Sequence, residues 1–377
     1  MTKNHPKTIL FETLFGRWRT SRPLRDGYTI LLPMPSDMPF LLRFALEGLR
    51  AMDTIHCNQI VVIPDGFSDV DGRAFRAVIA GFDDPRIELT RIRPGVHFFI
   101  HRVQKRRSHK TAANWSHWAQ IVEGTACASS EYAFLHDADA FFVDADGLER
   151  SFAESRAQEM FTLGVQYRLD AFYKEIGYTI PGTWEMMFSV PWARSRSPFL
   201  LKGQWRDTPG GPHVFDTMLY PQYLDFPTGK IGVMADPPRL VHFHGAVTTY
   251  RVYRDRAGEA VVDTIFRLLL LSILEDLVPA PDGARILPPP AELARGLIDP
   301  SAPVTYGGET PAKEYPGFRR QVEDLCQAPT FQGERAERIR AHLRPFDEYF
   351  AGWEDVPVPV EDTRVLKPEE ARTHGLG

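Results

Sequence analysis

An apolar segment that ends in two aspartates one residue apart constrains the fold of this chain more than any other feature. The segment reads Glu131-Tyr-Ala-Phe-Leu-His-Asp-Ala-Asp139 and is typical of a buried β-strand. Side chains alternate along a strand, so we expect Asp137 and Asp139 on one side, where an open α/β sheet places its ligand crevice. Paired carboxylates suit Mg²⁺ or Mn²⁺, and such an ion commonly shares its coordination shell with substrate phosphates.

The same spacing occurs twice more, in Asp69-Val-Asp71 and in Asp144-Ala-Asp146. The first repeat lies in a polar stretch bounded by glycines, which is typical of a loop, and Asp144 begins a stretch typical of a helix N-cap or turn. Only the pair at 137 and 139 follows a long apolar strand. We therefore expect this pair to bind a metal ion and a diphosphate, with a structural turn as the alternative.

The overall composition is that of an ordinary soluble globular protein. The chain has 377 residues, 43% hydrophobic and 25% charged, with a formal net charge of −5, which does not favour non-specific nucleic-acid binding. One basic stretch, His101–Lys110, has five Arg or Lys in ten residues. We interpret this stretch first as a solvated loop, second as a loop over nucleotide phosphates and third as a nucleic-acid-binding patch.

Cysteine spacing and hydropathy indicate the cellular compartment of the protein. Three widely spaced cysteines, Cys57, Cys127 and Cys326, indicate neither a disulfide framework nor a zinc site, so we expect a reducing cytoplasm. The N-terminus has no continuous apolar segment, and the longest apolar stretch, Leu268–Leu274, is too short to span a bilayer. We expect a cytoplasmic protein with, at most, peripheral contact at the inner face of a membrane.

Hydrophobic periodicity predicts an α/β protein with a doubly wound, mostly parallel sheet. The expected strands cover 28–33, 59–64, 86–90 and the segment before Asp137, and the helices between them cover 39–53, 71–80 and 111–125. Further on, we expect a strand end near 240–245, an apolar helix over 260–277 and a helical segment over 331–343. Nucleotide would bind at the carboxyl ends of the strands.

We expect three regions along the chain. Residues 1–26 form an N-terminal surface segment, and residues 27–278 form the main domain, with a nucleotide-binding half at 27–146 and an acceptor half at 147–250. Residues 279–377 form a Pro-rich linker and a helical C-terminal extension. The stretch 161–226 is rich in aromatic residues, Pro and Gly, which is typical of an antiparallel or loop-rich substrate region. Its tryptophans, Trp184, Trp192 and Trp205, either stack against sugar rings or belong to the core.

Four motifs in this order resemble the family-2-like, nucleotide-sugar-dependent glycosyltransferases of the GT-A fold. They are Ile63-Pro-Asp65-Gly66, Lys110-Thr-Ala-Ala-Asn114, His136-Asp-Ala-Asp139 and Val241-His-Phe-His-Gly245. The resemblance runs from about Tyr28 to Thr249. It implies a GT-A type of fold and a catalytic Mn²⁺ or Mg²⁺.

The resemblance also implies roles for single residues. Asp65 would contact the nucleoside, Lys110 and Asn114 would approach nucleotide or sugar, and Pro33, at the end of the first strand, would lie beside the nucleotide. In the Asp-x-Asp motif, Asp139 would be the direct metal ligand, and Asp137 would contact ribose, metal or metal-bound water. The third ligand would be His242 or His244, two residues apart on one face of a strand. Asp65 as a turn residue, Asn114 as a solvated residue and either histidine as a hydrogen-bonded strand residue are the alternatives.

Inverting transfer needs a carboxylate that removes the proton of the acceptor hydroxyl. Asp216 is the first candidate and Glu185 the second. Related enzymes carry a Glu-Asp pair where this chain has Phe215-Asp216. The Phe-Asp-Thr segment also resembles retaining enzymes, so the stereochemistry is open.

The sequence thus predicts a hexosyl or related transferase that moves a sugar from a nucleotide sugar, with UDP-sugar first, to a hydroxyl of a glycan or lipid-linked acceptor, as in polysaccharide biosynthesis. A sugar-nucleotidyltransferase is an alternative, although Leu32–Asp37 lacks the Gly-rich basic loop that such enzymes need. The second alternative is a non-catalytic sugar- or nucleotide-binding partner in polysaccharide assembly.

Overall fold

The computed structural model describes residue 18 and residues 23–66, 69–98, 112–167, 170–255, 265–299, 301–302 and 309–353. The strands are β1 (Arg25–Met34), β2 (Cys57–Pro64), β3 (Ile87–Leu89), β4 (Ser130–Leu135), β5 (Ala140–Phe142), β6 (Thr162–Gln166), β7 (Pro181–Ser189), β8 (Gln204–Thr208), β9 (Gly211–Phe215), β10 (Ile231–Val233) and β11 (Leu240–His242). The helices of the first two thirds are α1 (Phe40–Arg50), α2 (Asp69–Ile79), α3 (Ala112–Cys127), α4 (Gly147–Ala157), α5 (Ala171–Glu175), α6 (Val190–Ser195) and α7 (Leu219–Asp225). The later helices are α8 (Ala246–Asp255), α9 (Ile265–Leu277), α10 (Pro290–Arg295), α11 (Glu309–Leu325) and α12 (Glu334–Phe350).

Within these residues, seven strands form one sheet in the order β10-β6-β7-β4-β1-β2-β3. The pairs β1–β2, β2–β3, β1–β4 and β6–β10 are parallel, whereas β7 runs antiparallel to both of its neighbours, β4 and β6. The predicted α/β class with a mostly parallel sheet is confirmed. Two short antiparallel ribbons, β5–β11 and β8–β9, lie outside the sheet.

The two faces of the sheet bury separate hydrophobic clusters. In β1, Ile30 and Leu32 face the cluster that holds α1, while Leu31 faces the cluster that holds α3. The strand is apolar from Ile30 to Met34 because this part is covered on both faces, as is usual for the central strands of a parallel sheet. The carboxyl ends of β1, β2 and β4 thus meet at one edge, which is where the aspartates lie.

The predicted elements are present, with shifted ends. The predicted helix over 39–53 is α1, which ends earlier, and the predicted strand over 86–90 is the shorter β3. The helix predicted over 331–343 begins at Glu334 instead, because Pro329–Phe331 form a 3₁₀ turn, and it continues to Phe350. The basic stretch 101–110 and residues 260–264 of the predicted apolar helix lie outside the described residues.

Both ends of the described chain are packed into the main body. Trp18 is fully buried, and its indole N–H donates to the Arg196 carbonyl over 2.8 Å. At the other end, Phe331 and Phe346 belong to the same hydrophobic cluster as Phe44 of α1. The division into three regions stays a prediction. No helix in the described part of the chain is both long enough and apolar enough to span a bilayer.

The buried side-chain amide of Gln120 ties α3 to the sheet edge. Its nitrogen donates to the Met34 carbonyl over 2.8 Å and to the Ile63 carbonyl over 2.6 Å. These carbonyls lie at the ends of β1 and β2, and the Met34 carbonyl also accepts from the Asp65 N–H over 2.9 Å. Gln120 therefore fixes the two strand ends relative to each other and to α3.

We expect Gln120→Leu to lower the free energy of unfolding by about 1–3 kcal/mol, because the carbonyls of Met34 and Ile63 each lose a buried hydrogen bond. Denaturant-induced unfolding followed by circular dichroism measures this loss. Gln158→Leu, at an exposed helix end, is the control and should change stability by less than about 0.5 kcal/mol. Equal stability of Gln120→Leu and wild type would contradict this role of the amide.

Candidate metal centre and active site

The ribbon of β5 and β11 brings together residues that are far apart in the sequence. The two strands are antiparallel, and Ala140 pairs with His242. The Phe243 N–H donates to the Asp139 carbonyl over 3.0 Å, and the Ala246 N–H lies 3.3 Å from Asp139 Oδ2. Backbone pairing therefore places His242 beside the carboxylate that directly precedes β5.

Asp137, Asp139 and His242 form a cluster in which one ligand atom from each residue lies within 4.8 Å of the others. His242 Nε2 is 3.3 Å from Asp139 Oδ1 and 3.5 Å from Asp137 Oδ2. The histidine side chain is 7% exposed and that of Asp139 13%, whereas Asp137 is 33% exposed and faces solvent more openly. The structure thus brings the Asp-x-Asp pair together with one of the two late histidines, and the metal-binding role of these residues stays a prediction.

The cluster concentrates negative charge. Although a third of its side chain is exposed, Asp137 is surrounded by protein, and this desolvation and the adjacent Asp139 carboxylate raise its pKa to about 6. Burial alone would lower the pKa of His242, but its hydrogen bond with Asp139 and the charges of both aspartates raise it overall. Without a cation, Asp137 and His242 therefore bind protons more readily than usual, and a divalent cation would offset the charge of the carboxylates.

His244 lies outside this cluster, although its ring centroid is 3.8 Å from that of His242. Burial and the neighbouring His242 lower the pKa of His244 to about 4. Trp184 covers both imidazoles, with ring centroids 5.7 Å from His242 and 5.5 Å from His244. Of the two histidines predicted as ligands, His242 is the one that faces the carboxylates.

Glu185 lies directly behind the aspartates, at a β-bulge. The register of β6 and β7 shifts between Gly164 and Gln166, and Glu185 has a φ of +54°, which is uncommon for a residue with a side chain. A Cβ at Gly164 would lie 2.9 Å from the Glu185 carbonyl, so only glycine permits this approach. The bulge turns the Glu185 side chain toward the end of β4.

The Glu185 carboxylate is buried and fixed by several donors. His136 Nδ1 is 2.7 Å from Oε1, with both side chains 3% exposed or less, and the Asp137 N–H donates to Oε1 over 3.2 Å. A carboxylate accepts only, so Nδ1 carries the His136 proton. Glu185 thus holds the backbone of Asp137. Its carboxylate faces protein donors and not the solvent-facing side of the cluster.

Asp65 follows β2 at the same sheet edge. Its carboxylate accepts from the Ser36 N–H over 2.7 Å, and its side chain is 22% exposed. Arg251 of α8 lies 3.9 Å from Asp65 and forms a two-bond ion pair with Asp37. Arg254 bonds the same Asp37, and these arginines lower the pKa of Asp37 to about 2 against the opposing effect of burial.

Asp216 ends the β8–β9 ribbon and is exposed. Its Oδ1 accepts from the Thr217 N–H over 2.7 Å. Burial and, after it, the Asp216 charge raise the pKa of Tyr167, whose ring lies 5.6 Å from Trp184. Trp184 lies in turn beside His242 of the metal cluster, at 5.7 Å between ring centroids. Phe215 is buried among aromatic side chains.

Two of the residues predicted to bind nucleotide have no described side chain. Lys110 lies outside the described residues, and Asn114 is described only as backbone of α3. Pro33 pairs with Ile63 at the end of β1, beside Asp65. Trp192 is a core residue, because it is 4% exposed and its indole N–H donates to Asp225 over 2.7 Å.

Three residues near the cluster were not found by sequence reasoning. His117, one turn beyond Asn114 on α3, is close enough to Asp137 to lower that pKa, against the raising effects. Arg267 of α9 contributes to the low pKa of His244, and its Nε would be 3.7 Å from a Cβ at Gly245. His136 was quoted only as part of a motif. The helical spacing of His117 after Asn114 is the signal in the sequence that could have indicated His117.

The donor set fits a hard divalent cation. Two carboxylates and one imidazole are acceptable ligands for Mn²⁺ and Mg²⁺, and they leave coordination positions for water or phosphate oxygens. His242 Nδ1 is buried without a hydrogen-bond partner, so the ring is held by packing and by its Nε2 contacts. Asp137, Asp139 and His242 would hold the ion.

No family model matches the chain, and a search of curated proteins gives no match. Among solved structures, the mannosyltransferase PcManGT from Pyrobaculum calidifontis, in complex with GDP-Man and Mn²⁺, is similar with 15% identity over 92% of both chains and a TM-score of 0.35. TarS 1–349 of S. aureus is similar with 11% identity over 86% of this chain and 87% of its own, at a TM-score of 0.36.

The galactosyltransferase LgtC, in complex with donor and acceptor sugar analogues, is similar with 13% identity, a TM-score of 0.33 and coverage of 46% of this chain. The match spans 62% of LgtC, less than two thirds of its length. Two of these three structures are thus a mannosyltransferase and a galactosyltransferase.

Asp139→Asn removes one ligand charge, so we expect the Kd for Mn²⁺ to rise about 100-fold or more. Isothermal titration calorimetry measures the affinity directly. Asp146→Asn is the matched control, since Asp146 has the same Asp-x-Asp spacing but bonds with Arg150 away from the cluster. Loss of affinity in both variants, or in neither, would contradict the assignment.

Asp137 also predicts how stability depends on pH. Its folded pKa lies above the ordinary value, so its stabilising contribution is complete below that value and is lost as pH rises through about 6. Without metal, we therefore expect Asp137→Asn to melt at a higher temperature than wild type at about pH 7.5, and at a similar temperature at about pH 4.5.

Saturating Mn²⁺ should reverse this order at the higher pH, because the ion stabilises only the chain that binds it. Differential scanning calorimetry with and without EDTA measures both effects. If metal-free Asp137→Asn were the less stable protein at the higher pH, the repulsion between the two carboxylates would not be the dominant effect.

Proposed function

We propose that this chain is a divalent-metal-dependent glycosyltransferase that moves a sugar from a nucleoside-diphosphate sugar to a hydroxyl group of an acceptor. The observation that carries the proposal is the cluster of Asp137, Asp139 and His242 at the carboxyl end of β4. Asp65 lies at the end of β2 on the same edge, next to β1. A metal-ligand set and a nucleoside-binding carboxylate thus flank one crevice.

The cation, when bound, offsets the negative charge that develops on the departing diphosphate. Two basic residues of the chain support the same task. His117 approaches the cluster from α3, and Arg267 approaches from α9 beside Gly245. A guanidinium suits phosphate oxygens because it donates in a fixed planar geometry. We assign Arg267 and His117 to the diphosphate side of the crevice.

Asp65 is suited to the nucleoside. One of its oxygens is occupied by the Ser36 N–H, which fixes the carboxylate while leaving acceptor positions for a ribose hydroxyl or a base N–H. Asp37, Arg251 and Arg254 fasten α8 to the loop after β1 and so form the wall next to Asp65. The proposed donor is a nucleotide sugar, with UDP-sugar first among the candidates.

Asp216 is the proposed base for the acceptor hydroxyl. It is exposed directly after β9, and its charge acts on Tyr167, whose ring lies 5.6 Å from that of Trp184. Trp184 lies in turn beside His242, so these two aromatic rings offer a surface on which a sugar ring can stack. Glu185 is less suited to be the base, since it is buried and engaged by His136 and by the Asp137 backbone. We assign Glu185 to positioning Asp137.

This assignment corresponds to inversion at the anomeric carbon. Retaining transfer is the second candidate and requires no such base, so the anomeric configuration of the product distinguishes the two.

The acceptor is proposed to be a glycan or a lipid-linked sugar. A sugar-nucleotidyltransferase would instead form a nucleotide sugar from a nucleoside triphosphate and a sugar phosphate, and a non-catalytic partner would bind a donor and give no product.

The test is nucleotide release from UDP-, GDP-, CMP- and dTDP-sugars with Mn²⁺, Mg²⁺ or EDTA, using wild type and Asp216→Asn. We expect metal-dependent release from one donor and a kcat in the variant lower by about 100- to 10,000-fold, with unchanged Mn²⁺ affinity. Asp207→Asn, an exposed carboxylate on the same ribbon, is the control and should keep the wild-type kcat.

Normal turnover by Asp216→Asn would contradict the base assignment and favour retaining transfer, which nuclear magnetic resonance of the product would then reveal. Binding of no nucleotide sugar by the wild-type protein would overturn the proposed function.

A further inference from the structure

The segment between α11 and α12 reaches the back of the metal centre. Its 3₁₀ turn, Pro329–Phe331, carries Phe331, which is fully buried. The Phe331 ring lies 5.3 Å from that of Phe141, at an interplanar angle of 76°. Phe141 is the middle residue of β5, two positions after Asp139, and it pairs with Val241 of β11. An aromatic contact therefore links the C-terminal segment to the ribbon that carries the metal ligands.

Phe141 is enclosed on its other sides. Its ring lies 6.5 Å from that of Phe243, which follows His242, and a Cβ at Gly48 of α1 would be 3.3 Å from it. The ring thus fills a junction between α1, the ribbon and Phe331. Because protein interiors are close-packed, a change in one wall of this junction is transmitted to the others.

Polar contacts clamp the turn in place. Thr330 Oγ1 donates to the Gly48 carbonyl over 3.3 Å, and Arg335 bonds both the Thr330 carbonyl, at 2.8 Å, and Glu47 Oε1, at 2.7 Å. These bonds attach the turn to the end of α1, beside the glycine that makes room for Phe141. The position of Phe331 is therefore fixed by hydrogen bonds as well as by packing.

A second contact reaches the start of β11. Arg239 donates to Gln327 Oε1 over 3.0 Å and to the Asp144 carboxylate over 3.0 Å. Asp144 follows β5, so Arg239 connects the outer ends of both ribbon strands to the C-terminal segment. The ribbon, which sets the spacing between Asp139 and His242, is thus held at its middle by Phe331 and at its outer end by Gln327.

We infer that the turn at Pro329–Phe331 is a positioning element of the metal centre and that Phe331, acting through Phe141, sets the distance between Asp139 and His242. Phe331 touches no reacting atom and is a positioning residue. This inference rests on the proposed metal-binding role of the cluster. It gives the C-terminal region a function in positioning the metal ligands.

The test compares Phe331→Leu with Phe346→Leu by titration of the full-length protein with Mn²⁺. Phe346 is the matched control because it is also fully buried, lies in α12 of the same hydrophobic cluster and packs against Tyr315 away from the ribbon. Both variants exchange a ring for a smaller apolar side chain. Circular dichroism establishes the temperature at which both are folded, and the titrations are made below it.

We expect the Kd for Mn²⁺ to rise about 10-fold or more in Phe331→Leu and to stay within about twofold of wild type in Phe346→Leu. We further expect Phe141→Leu to weaken binding similarly, and the double variant Phe141→Leu/Phe331→Leu to weaken it no more than either single change. An equal loss in Phe331→Leu and Phe346→Leu, an unchanged affinity in Phe331→Leu, or additive losses in the double variant would overturn the inference.

The outcome for wild type separates this inference from the proposed function. If wild type binds Mn²⁺ and Phe331→Leu behaves as Phe346→Leu does, the inference fails while the metal site stands. If wild type itself binds no Mn²⁺, the proposed function fails and the inference is overturned with it.

Discussion

The whole site depends on three residue pairs of antiparallel backbone pairing between β5 and β11. Parallel strands bring carboxylates to a sheet edge by topology alone. His242 follows Asp139 by 103 positions, so only pairing between their two strands can bring it to the carboxylates. The ribbon supplies this pairing, because Ala140 pairs with His242 and the Phe243 N–H bonds the Asp139 carbonyl. A slip of one residue would turn His242 to the opposite face. Everything that fixes this register therefore fixes the metal centre.

Electrostatic strain is the second characteristic of the site. Asp137 has a pKa raised to about 6, His242 has a raised pKa, and the buried Glu185 carboxylate adds further negative charge next to Asp137. Glu185 is tolerated because His136 and the Asp137 N–H compensate its charge, and its positive φ aims it there. Folding thus assembles a centre with more negative charge than its own groups neutralise. Such a centre favours a divalent cation and, through it, a polyanionic leaving group.

Sequence patterns predicted the sheet and the residues at its edge well, for physical reasons. Strands buried on both faces are continuously apolar, as in Ile60–Pro64, and polar residues that end such strands are conspicuous. Asp65, Asp137 and Asp139 were found in this way. The sequence did not distinguish His242 from His244, because two residues on the same face of a strand are equivalent until the partner strand is known. The ring of His242 faces the carboxylates, and that of His244 lies beside it under Trp184.

The remaining features depend on contacts between distant segments, for which the local pattern gives no signal. Glu185 was taken as a possible base from its neighbours in the sequence, whereas a bulge opposite Gly164 buries it behind Asp137. Arg267 stands in an apolar helix and gave no indication of its place beside Gly245. The C-terminal segment was predicted as helical without a chemical motif, and its packing on Phe141 follows from the fold alone.

The central claim is that Asp139 and His242 hold one divalent cation that in turn holds a nucleoside diphosphate. Crystals grown with Mn²⁺ and UDP, measured at the manganese absorption edge, test it most directly. We predict an anomalous difference peak within coordination distance of Asp139 and His242, in contact with diphosphate oxygens and with the nucleoside next to Asp65. Absence of a peak there, or a nucleotide bound elsewhere with an empty cluster, would contradict the account.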